Sequence, residues 1–172
     1  MTPFAIAGMQ LNLSAVHENI PHMKTRLHLL MHLYPWVQMV VFSELAAFGP
    51  SPVRAQTLPG PAEDDFRDMA QKHGIWLLPG TMFEKSGGSI YNTASVISPE
   101  GEVVGRFRKL FPLRPYEMNI EAGDDFFTFD VPDVGRFGVS ICYDMWFPET
   151  SRQLASMGAE VILHPSLTPT ID

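Results

Sequence analysis

A chain of 172 residues with 45% hydrophobic and 18% charged side chains has the length and balance of one globular domain with its own core. With 19 acidic against 12 basic residues the formal net charge is −7 and no basic cluster stands out, which argues against nucleic acid as a partner. No run approaches the roughly 18 apolar residues that cross a bilayer, and the opening MTPFAIAGMQLNLS has no basic start, so the chain is expected to be cytoplasmic with no membrane partner.

Phe4 to Leu11 is a short apolar run of the buried-strand kind, punctuated by Asn12 and Ser14. From Asn19 onward Ile20, Met23, Leu27, Leu30, Met31 and Tyr34 recur at steps of three and four, which places them on one face of a helix with Pro21 in its first turn. Val37 to Phe42 is strand-like and Glu44 follows at once. The proline-rich GPSPVRAQTLPGP reads as loop until Pro61 opens a helix whose first turn carries Glu63, Asp64 and Asp65, expected to be a solvated acidic start. Ile75 to Met82 is predicted as one buried strand. Two turn signals, Lys85 to Ser89 and Ser98 to Gly101, separate strands at Tyr91 to Ile97 and Glu102 to Arg108 and imply antiparallel neighbours. Lys109 to Asp125 is loop-like. Phe126 to Val131 and Arg136 to Ile141 are strands on either side of a Pro132 to Gly135 turn, Pro148 opens a helix that Gly158 stops, and Val161 to His164 is the last strand. Strands alternating with helices, plus hairpins, give an α/β domain with a mixed sheet.

The segment VSICYDMWFPE holds the lone cysteine, Cys142, which cannot form an intramolecular disulfide and so fits a reducing compartment. A cysteine in an apolar strand is more often packing than catalyst. Its place at a strand-to-helix turn points the other way, because helix-start N–H groups would favour the thiolate and could hold an oxyanion. No histidine is placed to serve as its base. Glu44 is the better candidate: it leaves the carboxyl end of an apolar strand, where withdrawal from water would raise its pKa toward that of a base. Lys109 leaves a strand in the same way and would stabilise thiolate and oxyanion alike. His28 and His32 are four apart on a helix, but no third ligand at a recognisable spacing supports a metal site.

FSELAAFGP with Glu44, GRFRKLFPLRPYE with Lys109 and VSICYDMWFPE with Cys142, in that order, resemble the nitrilase, or carbon–nitrogen hydrolase, superfamily. The resemblance implies an αββα sandwich with mixed sheets over residues 1–172. It also implies a Glu–Lys–Cys triad: Glu44 as general base, Lys109 on the tetrahedral intermediate, Cys142 as nucleophile. Glu117, eight residues past the lysine as in the amidase-like branch, would help position substrate, and the Tyr143 backbone N–H would share the oxyanion. Tyr143-Asp144 after the nucleophile favours an amidase over a nitrilase. The implied activity is hydrolysis of a small linear amide or carbamoyl compound through a thioester, with no cofactor and no metal; the alternatives are a nitrile substrate, an inactive partner-binding member and a redox-sensing thiol. Two further expectations follow from the resemblance. One is a homo-oligomer joined through helices flanking the nucleophile. The other is a domain whose carboxyl-terminal part lies outside this sequence, which would expose apolar surface on one sheet face unless a partner covers it.

Overall fold

Three buried residues at helical spacing, Ile20, Met23 and Leu27, fix the inner face of α1, which spans Ile20–Leu33 with Pro21 in its first turn. The second helix, α2 (Pro61–His73), also starts on a proline and ends on Gly74, whose φ of +61° forms a left-handed cap with its N–H returned to the carbonyls of Ala70 and Gln71. The computed structural model describes residues 3–168.

Both helices lie on one face of a six-stranded sheet. Its strands β1 (Ile6–Met9), β2 (Met39–Phe42) and β3 (Trp76–Leu78) run parallel. Beyond β3, the sheet continues antiparallel through β5 (Ser89–Ile97), which pairs with both β4 (Met82–Ser86) and β6 (Val103–Arg108). The period-two alternation of β2 decides its two contacts: Val40 and Phe42 pack with Phe66, Met69 and the α1 residues, while Met39 turns to the opposite face. That opposite face meets a second sheet of β7 (Phe127–Val131), β8 (Gly135–Val139) and β9 (Val161–Leu163). Leu78, Val96 and Phe107 of the first sheet interdigitate with Phe129, Phe137 and Val139 of the second, and the Phe129 and Phe137 rings stack at 5.6 Å. A third helix, α3 (Pro148–Ser156), covers the outer face of the second sheet through buried Leu154. It seats this closely because Gly138 has no side chain; a Cβ there would stand 3.1 Å from Leu154 Cδ2. Helices, sheet, sheet and helix give the expected αββα order. Truncating a wholly buried ring such as Phe66 to alanine would cost about 3–5 kcal/mol.

Two expectations from the sequence change. Ile75 to Met82 is two strands, because Pro79, Gly80 and Thr81 break the ladder between β3 and β4. Glu63 is not solvated: it is 1% exposed, accepts from Ser95 Oγ at 2.7 Å, and takes a bidentate pair from Arg106 Nε and Nη2 at 2.8 and 2.5 Å. A helix start looks hydrophilic in sequence, yet its first turn can face a neighbouring strand that carries the matching cation. The His28 ring meets His73 of α2 at 5.7 Å between centroids. Among the described residues no helix is long and apolar enough to cross a membrane. The end strands of both sheets leave apolar side chains in solvent, Ile6 on β1 and Ile162 on β9.

Candidate active site

Each of the three motifs delivers its polar residue just past the end of a strand. Glu44 follows β2, Lys109 follows β6, and Cys142 stands three residues beyond β8. The Glu44 turn is held from below by Thr81, whose Oγ1 accepts from the Leu45 N–H at 2.9 Å. Gly80 makes that seat possible, since at φ +79° a Cβ would lie 1.8 Å from the Ser43 carbonyl oxygen. Leu45 and Cys142 themselves sit at φ +54° and +46°, a left-handed conformation that costs side-chain-bearing residues energy and is held by the surrounding structure.

At the centre is a buried ammonium between two carboxylates. Lys109 Nζ lies 2.9 Å from Glu44 Oε1 and 2.8 Å from Glu117 Oε2, with all three side chains nearly inaccessible. Burial alone would depress the lysine pKa, but the charges and hydrogen bonds of Glu44 and Glu117 outweigh it and raise the value, so Lys109 is held as a cation. The Leu113 N–H donates to Glu117 Oε2 at 2.6 Å, which fixes the loop after β6 around the glutamate.

Asn92 completes this cluster and was not singled out in the sequence. From the middle of β5, fully buried, its Nδ2 donates to Glu44 Oε1 at 2.9 Å and to Glu117 Oε1 at 3.0 Å. One amide thus holds both carboxylates in place. The available signal was a single carboxamide within the β run IYNTASVI.

Cys142 is half-buried beside Glu44, and its Sγ lies 3.8 Å from the Leu167 carbonyl oxygen. The Leu167 N–H donates to Glu44 Oε2 at 2.9 Å, so the segment after β9 touches both Glu44 and Cys142. The expected thiolate-favouring helix start is not what the structure provides. Cys142 opens a 3-10 turn, Cys142–Trp146, and α3 begins only at Pro148. Burial first, then the Glu44 charge, push the thiol above its usual value, against a Ser166 hydrogen bond and the Lys109 charge. A neutral thiol beside a carboxylate suits proton transfer at the moment of attack.

Asp144 joins the Cys142 turn to the loop after Lys109. It is wholly buried and accepts from the Ile141 N–H at 2.9 Å and the Phe111 N–H at 2.8 Å. Burial pushes its carboxyl up to about 6, with those N–H groups opposing. Tyr143 follows Cys142 directly, and its ring packs edge-on against Phe147 at 5.2 Å. The structure therefore brings Glu44, Lys109, Glu117 and Cys142 to one cavity, with Tyr143 on an adjoining opening shared with Cys142.

The carbon–nitrogen hydrolase profile matches residues 5–171, nearly the whole chain. The chain belongs to the carbon–nitrogen hydrolase family. A nitrilase of Pyrococcus abyssi is 39% identical over 115 residues, covering 65% of this chain and 42% of that protein. The human omega-amidase NIT2 is 32% identical over 123 residues, covering 66% of this chain and 44% of its own length. Among solved structures of the family's fold, Saccharomyces cerevisiae Nit3, a member of branch 10 of the nitrilase superfamily, superposes with a TM-score of 0.81 at 27% identity. That superposition covers 92% of this chain and 63% of the yeast protein. The chain thus spans less than half the length of these two sequence relatives and under two thirds of Nit3.

Proposed function

We propose that this protein is a thiol hydrolase that cleaves the C–N bond of a small linear amide or carbamoyl compound. One observation carries the reading: an ammonium neutralised by two buried carboxylates lines the same cavity as the only cysteine. Amide carbons are weakly electrophilic, so attack needs a thiolate, a positive group on the oxygen and a proton for the departing nitrogen. Glu44 takes the Cys142 proton as sulfur bonds to the carbonyl carbon. Lys109 and the Tyr143 N–H hold the oxyanion, with Glu117 and Asn92 keeping Lys109 and Glu44 in register. Collapse expels ammonia or an amine carrying the proton from Glu44 and leaves a thioester. Water, deprotonated by Glu44, then releases the acid and restores the thiol. Amide and water thus give acid and amine, without metal or cofactor.

Purified protein should release ammonia from a panel of small amides, and Cys142→Ala should abolish release. Full activity in that variant would refute the assignment. Because Glu44 raises the thiol pKa, Glu44→Gln should move the pH midpoint of Cys142 alkylation downward while removing hydrolysis; an unchanged midpoint would count against Glu44 as the base. The named nitrilase relative favours a second reading, in which the same thiol attacks a nitrile carbon; a matched amide and nitrile pair separates the two by initial rate. We extend the proposal to a cytoplasmic homo-oligomer joined through the helices flanking the nucleophile, supported by family membership and the lone cysteine. Sedimentation of the purified protein tests the assembly.

A further inference from the structure

We infer that the cavity at Cys142 selects amides with an uncharged, apolar acyl group and rejects those that carry a carboxylate. This deepens, and rests on, the proposed amide hydrolysis at Cys142. The cavity holds about 260 Å3, just under the ~300 Å3 where pockets for drug-sized ligands begin, and it adjoins a wider opening that Cys142 also lines. Leu45, Pro50, Phe83, Leu113 and Tyr116 form most of its wall.

Its charged lining is Glu44, Glu117 and Lys109. Two carboxylates therefore face one ammonium, and both already hold it at 2.9 and 2.8 Å. A substrate carboxylate entering here would meet like charge and would need a cation of its own. Among the described residues Lys109 is the only lysine or arginine lining the cavity. Drawing it to a substrate carboxylate would take it from the carbonyl oxygen it is placed to stabilise. The nearby Arg114 does not fill the gap, because its guanidinium is tied to the main-chain carbonyls of Glu117 and Ile120. A neutral alkyl or aryl group meets no such cost and gains the apolar wall. Selection thus arises as much from what repels the wrong substrate as from what binds the right one.

Two experiments on the full chain test this. The first compares iodoacetamide with iodoacetate, neutral and anionic reagents of similar size, at Cys142. Relative to a small free thiol, the neutral reagent should gain at least a further tenfold; a ratio equal to that of the free thiol overturns the inference. The readout needs no turnover, so neutral preference without amide hydrolysis sustains the pocket reading while removing the catalytic one. The second compares butyramide with succinamate, which have the same carbon count but end in methyl and carboxylate. The neutral amide should show kcat/KM at least 100-fold higher, and parity or reversal overturns the inference. Tyr116 lines the cavity yet is 81% exposed, so Tyr116→Arg adds a cation without disturbing the core. That variant should narrow both ratios about tenfold; unchanged ratios would refute pocket charge as their cause.

Discussion

Strand β6 and the residue just past it carry three cations, and they behave differently. Arg106 and Arg108 each form a bidentate pair with one carboxylate, Glu63 of α2 and Glu84 of β4, and each keeps about a third of its side chain in solvent. Arg108 also stacks on the Tyr91 ring at 3.9 Å. Lys109, next in the chain and so on the opposite face, is 1% exposed and shared between two carboxylates. The planar fork of arginine suits a fixed clip on one carboxylate through Nε and Nη2, whereas an ammonium is a point charge with three donors, one of which can turn to a substrate. The arginines staple the sheet together. The lysine is held as a cation by two carboxylates with one donor left over, which is what the proposed chemistry needs.

The largest break in that contrast is Lys109→Ala. It leaves Glu44 and Glu117 facing each other in the interior and should cost about 3–5 kcal/mol of stability, with activity lost by about 10²–10³-fold or more. The triple variant Glu44→Gln, Lys109→Met, Glu117→Gln should recover most of the stability and none of the activity, as read by urea melts and ammonia release. Arg106→Ala strips Glu63 of its bidentate partner and should cost roughly 1–3 kcal/mol while leaving turnover per folded molecule unchanged. A loss of turnover would erase the distinction drawn between the cations.

Asp144 sharpens it through pH. Burial raises its folded carboxyl from an ordinary 3.8 to about 6, so the folded state binds this proton more tightly than the unfolded chain. Stability from this group is therefore greatest at low pH and is lost as pH rises from about 4 to about 6. Asp144→Asn cannot lose it, so the melting temperature of the variant minus that of the native chain should rise across that window. The smallest effect belongs to Arg136→Ala, which breaks an exposed pair with Asp130 and should leave the melting temperature unchanged within error.

Strand-end placement made Glu44, Lys109 and Cys142 candidates in the sequence, and the three motifs that hold them, in their order along the chain, made the set legible. The mixed α/β class followed from the alternation of strand and helix periods, and the four-layer order only from the resemblance that the three motifs carry. What stayed hidden needed contacts between distant segments. Asn92 reads as one polar residue in a strand until β2 and the loop after β6 bring carboxylates to it. Glu63 reads as solvated until β6 presents Arg106. The direction of the Cys142 shift could not be seen either, since it depends on burial and on a carboxylate 98 positions away in the chain.

Gly80 carries no functional group, yet it governs where the proposed base stands. With a Cβ only 1.8 Å from the Ser43 carbonyl oxygen, any replacement must move the backbone that presents Glu44. A saturation survey scored by turnover would flag this position beside the triad, although nothing there meets substrate. Tolerance to mutation would then trace the mechanical support of the chemistry as well as its reactive groups.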